Sequence, residues 1–145
     1  MAEFVSNAIQ EVQPAQNVLL DTSIPCNRGY VLHRPGSGIV TLRGIVNSPC
    51  ARFARYQVVF NGNIAVPTGE TVGPIAVALA IDGEPVQTSR AIVTPAAVDN
   101  YFNVTSTAII DIPVGCCYTI AVENVSAPAV PINVQNANMT VSRIA

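Results

Sequence analysis

The feature that most constrains this sequence is a seven-residue run, IAVALAI, at positions 75–81. Large apolar residues at the odd positions alternate with alanines at 76, 78 and 80. Successive side chains of a strand point to opposite faces, so one face carries branched side chains and the other only methyl groups. An exposed antiparallel strand normally shows water one polar face, and this run has none. It therefore predicts a strand that is buried on both sides.

The two faces of this strand need different partners. The Ile, Val and Leu face can fill the core of a single domain, whereas the alanine face permits close approach of a second layer. We expect that layer to be a neighbouring subunit or an N-terminal segment of the chain. Ala76, Ala78 and Ala80 are therefore the predicted oligomer-interface residues.

The scarcity of charge supports extensive burial between subunits. The 145 residues include seven Arg and nine Asp or Glu, and there is no Lys. A folded chain of this size exposes roughly 7,000 Å², and small soluble surfaces are typically about a quarter charged or more. The net charge of −2 provides no basic footprint, so double-stranded nucleic acid is not an expected partner.

The chain has the length of one domain and no sequence signal for a membrane. Its longest apolar run is the seven-residue one, whereas a membrane helix needs about 20 apolar residues. The first residues, MAEFVSNAIQEVQPAQ, lack the basic start and apolar core of a secretory signal. We expect residues 1–16 to form an arm or an edge strand and residues 17–145 to form the folded domain.

Short strands separated by turn residues account for the remaining sequence. Asp82-Gly83 between apolar segments predicts a hairpin, and Asn61-Gly62-Asn63 predicts a kink or bulge. The alternation changes phase near Asn136, where we expect another turn or bulge. Eleven prolines and nine glycines punctuate the chain, which predicts about eight to ten antiparallel strands in a sandwich or barrel.

The four cysteines, at positions 26, 50, 116 and 117, form no CxxC pair. Cys116 and Cys117 are adjacent, so in a strand they point to opposite faces and do not share a partner. Three fates remain open: a zinc site that includes Cys26, Cys50 and His33, a Cys26–Cys50 disulfide, or small buried apolar residues. The last is the commonest for such cysteines.

His33 is the only histidine, and Arg34 follows it. Together they can bind an anion or lie at the symmetry axis of an oligomer. A catalytic His needs a nucleophile and an acid placed by the fold, and the sequence has no GxSxG motif. Arg52 and Arg55 point to opposite faces of a predicted strand. All four residues are candidate ligand or axis contacts.

No motif predicts a catalytic, metal or cofactor-binding site, so we expect no cofactor and no enzymatic activity. Asp82 and Glu84 can bind calcium, but Asp also favours turns through its own hydrogen bonds. Three Asn-x-Ser/Thr motifs begin at Asn103, Asn124 and Asn138, and we interpret them as chance in an Asn- and Thr-rich β protein.

Four stretches resemble a known group of proteins: residues 26–44 (CNRGYVLHRPGSGIVTLRG), 56–63 (YQVVFNGN), 78–86 (ALAIDGEPV), and the segment 108–145. They are similar to small all-β proteins of Firmicutes bacteria and their prophages, and to the C-terminal heads of bacterial collagen-like and spore-surface proteins. Those heads have the tumour necrosis factor-like jelly roll and form tight trimers. The resemblance implies a jelly-roll domain over residues 17–145 and a homotrimer.

The same resemblance suggests where such a protein acts. The heads typically have an acidic residue after the turn that we place at Val114-Gly115, and here Cys116 and Cys117 follow it. The sequence also has no Gly-X-Y collagen stalk. A free-standing head suits a phage virion, as a capsid decoration protein or a tail or fibre tip, better than a stalked spore filament. Localisation on a virion or on a bacterial cell or spore surface follows, with major capsid or other virion proteins as further partners.

Two other functions remain open. A trimeric head can act as a binding module for a cell-surface glycan or for a small nucleotide signal. The nucleotide alternative requires a cluster of arginines near an interface, with Arg28, Arg34, Arg52 and Arg55 as candidates. An enzyme requires a second titratable group close to His33.

Overall fold

The computed structural model describes residues 1–24 and 29–145, which form two antiparallel β-sheets facing each other across one apolar core. These residues contain twelve strands and one short 3₁₀ turn, Gln87–Ser89. The strands are β1 (Ala2–Ser6), β2 (Gln10–Val12), β3 (Thr22–Ile24), β4 (Val31–His33), β5 (Val40–Arg43), β6 (Phe53–Ala65), β7 (Ile75–Ile81), β8 (Glu84–Pro85), β9 (Ala91–Val93), β10 (Phe102–Pro113), β11 (Cys117–Asn124) and β12 (Ile132–Arg143).

The first sheet has the strand order β10-β6-β12-β1-β3, with β2 also pairing with β12. The second has the order β4-β5-β11-β7-β8, with β9 also pairing with β7. The all-β antiparallel sandwich predicted from the sequence is confirmed. Its strand number exceeds the predicted eight to ten because pieces as short as β8, of two residues, pair as separate strands.

Residues 1–16 contribute β1 and β2 to the first sheet. β1 pairs with β12 on one side, from Ala2 opposite Val141 to Ser6 opposite Ala137. It pairs with β3 on its other side. Phe4 of β1 is 1% exposed and belongs to the core. The segment that the sequence suggested as an arm or an edge strand thus lies within the sheet and helps to fill the core.

The bulge predicted at Asn136 is confirmed, and it lies opposite Asn61-Gly62-Asn63, where the sequence predicted a kink or bulge in β6 itself. The β6–β10 pairing is continuous through Gly62. The register shift lies in the facing strand β12, between Gln135 and Asn138, where Asn136 has a φ of 55°. Gly62 has a different role, because a Cβ there would lie 2.9 Å from the Phe60 ring.

The predicted hairpin at Asp82-Gly83 is confirmed. The φ angles are 50° for Asp82 and 86° for Gly83, as a primed two-residue turn requires. Asp82 also accepts hydrogen bonds from the backbone N and the Oγ1 of Thr119, at 2.8 and 3.1 Å. Its carboxylate therefore anchors the turn to β11. The return segment after this turn is divided into β8, the 3₁₀ turn and β9.

β7 is buried on both faces within a single chain. Residues 75–80 are each at most 1% exposed. Ile75, Val77 and Leu79 belong to the core cluster, whereas the three alanines point to the opposite, outer face of the second sheet. The expectation of a strand without a wet side is therefore confirmed.

The side chain of Arg90 reaches across the outer face of β7. Ala91 pairs with Val77 and packs against the core, so Arg90 and Ile92 point to the outer face, as the alanines do. Arg90 Nη2 donates a 2.9 Å hydrogen bond to the carbonyl of Val125, on the far side of β7. Val125 N in turn bonds the carbonyl of Ala76 at 3.0 Å. The Arg90 stem therefore crosses β7, and small residues such as Ala76 leave room for it.

Backbone contact at one end of the sandwich depends on Gly44. Its N and O bond Cys116 O and Gly115 N, at 2.8 and 3.0 Å, which joins the end of β5 to the β10–β11 turn. A Cβ at position 44 would lie 2.1 Å from the carbonyl oxygen of Pro113. Only glycine permits this approach.

We predict that Gly44→Ala lowers the free energy of unfolding by about 3 kcal/mol, because the methyl group forces two backbone segments apart. Gly73→Ala is the matched control, since a Cβ at position 73 has open space around it and its φ is not positive. Urea unfolding of both variants measures the difference. Equal stabilities would contradict the close approach at Gly44.

We also predict that Arg90→Ala lowers the free energy of unfolding by about 2 kcal/mol, through lost apolar contact over the alanines and an unpaired Val125 carbonyl. Arg90→Met retains most of the stem length and should lose about half as much. The urea midpoints of the two variants test this order. If Arg90→Ala matches the wild type, another group covers β7.

Candidate interaction surfaces

The three alanines predicted as an oligomer interface lie beneath other groups of the same chain. Ala76, Ala78 and Ala80 are each 1% exposed without a second subunit. Glu123 of β11 pairs with Ala78 on this face, and burial together with the nearby charge of Glu84 raises the pKa of Glu123. The burial that motivated the interface prediction is thus already complete in one chain, and the interface role itself stays a prediction.

The outer face of the first sheet is the broadest candidate surface. The register of β10, β6, β12, β1 and β3 determines which side chains point away from the core. We call this surface the amide-rich face. It comprises Asn103, Thr105, Thr107, Ile109, Gln57, Val59, Asn61, Asn63, Asn133, Gln135, Asn138, Thr140, Ser142, Glu3, Val5, Thr22 and Ile24, with Phe53, Arg55, Asp111 and Pro113 at one end.

Several polar groups on this face bond to one another. Asn103 Nδ2 donates to Asn63 Oδ1 at 3.1 Å, across the β10–β6 pair. Asn138 Nδ2 donates to the carboxylate of Glu3, across the β12–β1 pair. A face whose amides are partly satisfied within the sheet loses fewer hydrogen bonds to water when another surface covers it.

The charged pair at one end of the face is self-contained. Arg55 donates to both carboxylate oxygens of Asp111, at 2.6 and 2.8 Å. This hydrogen bonding lowers the pKa of Asp111 and raises the pKa of Arg55. Because the carboxyl pKa is lowered, the pair stabilises the fold above the ordinary carboxyl pKa and weakens as pH falls through the lowered value. Arg55 is therefore already engaged, although the sequence suggested it as a ligand contact.

A groove lies on the second sheet, beside its edge strand β4. It has a volume of about 460 Å³ and is lined by Leu32, His33, Arg34, Ser37, Ile39 and Thr41. His33 and Arg34, both predicted as ligand or axis contacts, thus belong to one concavity. Sequence reasoning did not identify the other lining residues, which are Leu32 of β4, Ser37 and Ile39 of the segment between β4 and β5, and Thr41 of β5.

The four candidate ligand residues form two separate groups. His33 and Arg34 lie at the β4 edge of the second sheet, whereas Arg52 and Arg55 lie at the start of β6 in the first. Arg28, also proposed for an arginine cluster, lies outside the described residues. Across residues 1–24 and 29–145, these positions do not assemble the cation cluster that the nucleotide alternative requires.

The structure also shows the environment of three cysteines and of Asn124, which begins one of the Asn-x-Ser/Thr motifs. Cys50, Cys116 and Cys117 are free and exposed, so the expectation of buried cysteines is wrong for these three. Cys26 lies outside the described residues, and the described part of the chain has no group of three or more metal-ligating side chains. Asn124 is 2% exposed and donates to the carbonyls of Val12 and Val130, which is a structural role.

His33 has a structural contact as well. Its Nε2 lies 2.8 Å from the carbonyl oxygen of Ser37, and its ring packs against Phe4 with a centroid separation of 4.7 Å.

The described chain has no helix long and apolar enough to cross a membrane.

Comparison with known proteins places the fold. No family model matches the chain, and no curated protein matches it. The globular domain of zebrafish complement 1qA protein is similar in structure, with a TM-score of 0.61, 12% identity, and coverage of 99% of this chain and 96% of that one. Eiger TNF from S. frugiperda has a TM-score of 0.66 and 11% identity, covering 100% of this chain and 92% of that one. The tumour necrosis factor-like jelly-roll fold implied by the sequence resemblance is thereby confirmed.

Proposed function

We propose that this chain is a non-enzymatic structural head that assembles as a homotrimer through its amide-rich face, on the surface of a phage virion or a bacterium. The observation that carries the proposal is the low charge of this broad, outward-facing sheet surface. Its Arg55–Asp111 pair is self-neutralising, and in the described sheet the remaining charges on this side are Glu3 and, opposite Asn133, Glu11 of β2, neither with an oppositely charged partner.

The size of the face suits a stable interface. Strands lie about 4.8 Å apart with about 3.3 Å per residue, so the three long and two short strands give roughly 700 Å². Standard interfaces bury about 800 Å² per partner. Exposed apolar side chains at both margins, with Ile109 at 63% and Ile24 at 60% exposure, would gain from being covered.

A three-fold arrangement also explains how the assembly closes and does not grow into a filament. A head-to-tail contact between different patches closes into a ring when its rotation is one third of a turn. The fold shared with the two solved structures supports this geometry by analogy, and a trimer would suit a three-fold point on a capsid. The axis role predicted for His33 and Arg34 does not fit this proposal, because both lie at the β4 edge of the second sheet, opposite the amide-rich face.

Thr107→Arg tests the interface directly. Thr107 is exposed on β10 within the amide-rich face and pairs with Val59. An arginine there introduces an unpaired charge into each contact of the trimer, so we expect the dissociation constant to rise about a hundredfold, or about 3 kcal/mol. Light scattering coupled to size exclusion should show mass lost from the trimer, with unchanged circular dichroism.

Ile92→Arg is the matched control. Ile92 is 61% exposed on the outer face of the second sheet, so the same charge is added away from the amide-rich face. We expect this variant to keep three times the 15.2 kDa chain mass. Dissociation of both variants alike, or of neither, would contradict the proposed interface.

The surface role requires the chain to be part of a particle. We expect peptides of this chain in gradient-purified phage particles or spores from the source, in molar amounts comparable with other structural components. An antibody against the chain should label the outside of intact particles in electron microscopy. Recovery of the chain only from the soluble lysate would contradict the surface role while leaving the trimer claim intact.

A further inference from the structure

The groove beside β4 is built on a turn that is held from several directions. Ser37 N donates to the carbonyl of Arg34 at 3.0 Å, and Gly36 N donates to the carbonyl of Leu20 at 2.8 Å. Gly36 has a φ of 86°, a conformation that glycine adopts without strain. His33 Nε2 bonds the Ser37 carbonyl from inside the turn, and since a carbonyl only accepts, Nε2 carries the hydrogen. These bonds fix the backbone from which Arg34 projects.

The walls of the groove are aliphatic and accessible. Leu32 is 50% exposed and Ile39 is 47% exposed, and both line the concavity of about 460 Å³. Ligand sites commonly measure about 300–1,000 Å³, with apolar walls and a few polar groups that orient the ligand. The groove is largely open to solvent, so it can hold one small ring against its lining without enclosing it.

The polar groups of the groove are available to a ligand. Arg34 is exposed. Among residues 1–24 and 29–145 the ion pair joins Arg55 to Asp111, so no acidic side chain in this part of the chain pairs with Arg34. Ser37 Oγ accepts a 3.0 Å bond from Ile39 N, which leaves its own hydrogen to donate. Thr41 adds a second hydroxyl on the groove lining.

This combination identifies a chemical class. A planar guanidinium matches a carboxylate with two parallel hydrogen bonds. Hydroxyl groups suit the hydroxyls of a sugar ring, and aliphatic walls suit its C–H faces. The described lining offers no aromatic ring except His33, whose ring packs on Phe4, so stacking of a nucleobase is disfavoured, and a single arginine is a weak match for a diphosphate.

We propose that the groove binds an acidic sugar, through Arg34 on the sugar carboxylate with the Ser37 and Thr41 hydroxyls on the ring. The ligand class is a uronic or sialic acid residue of a surface polysaccharide. The site lies entirely within one chain and on the sheet opposite the amide-rich face, so the inference does not depend on the proposed trimer.

Methyl NMR of the intact chain tests this site. Galacturonate and N-acetylneuraminate are titrated against protein labelled in the Leu and Ile methyl groups, with galactose, acetate and adenosine monophosphate as comparison probes. We expect saturable shifts confined to Leu32 and Ile39 for one or both sugar acids. The dissociation constant should be at least tenfold lower than for galactose or acetate. Equal or tighter binding of any comparison probe overturns the proposal, as does the absence of saturable shifts with both sugar acids.

Two variants assign the contacts. Arg34→Gln should weaken sugar-acid binding at least tenfold, because the carboxylate loses its charged partner. The ratio of sugar-acid affinity to galactose affinity should therefore fall. Arg52→Gln, at an exposed arginine outside the groove, should bind as the wild type does. Thr41→Val, which keeps the side-chain shape, should weaken binding severalfold. Unchanged binding by Arg34→Gln, or an equal loss in Arg52→Gln, overturns the assignment.

Discussion

The burial of β7 on both faces is the constraint on which the second sheet depends. Its large side chains fill the core, and its alanines accept the Arg90 stem on the outer face. The stem links the segment after the 3₁₀ turn to the carbonyl of Val125, so one side chain connects three neighbouring parts of the sheet. A long charged side chain can cover apolar surface in this way because only its guanidinium needs polar partners.

Local sequence patterns predicted the local structure well. The alternation at 75–81, the Asp82-Gly83 turn and the phase change at Asn136 each reflect backbone geometry within a few residues. The cover over the alanines could not be predicted in the same way, because it depends on Arg90 lying beside β7 through strand pairing. The assignment of the extra residue near Gly62 has a similar limit: it belongs to the facing strand β12, whose alignment is set by tertiary structure.

The candidate surfaces show the same limit. Adjacent residues such as His33 and Arg34 were correctly grouped, and the structure places both in one groove. The amide-rich face was missed because it combines residues far apart in sequence, as Glu3 and Asn138 illustrate. Under our proposals this face serves assembly, while the β4 groove of the opposite sheet remains open to a ligand. A head with both properties could join a particle and recognise an acidic glycan at once.

Sedimentation equilibrium of the wild-type chain at micromolar concentration tests the central claim most directly. Burial of an amide-rich face with little net charge predicts one species with three times the 15.2 kDa chain mass. That species should resist moderate salt, since the contact does not rest on ion pairs across the interface. A single species with the mass of one chain, at every concentration and salt level, would contradict the account.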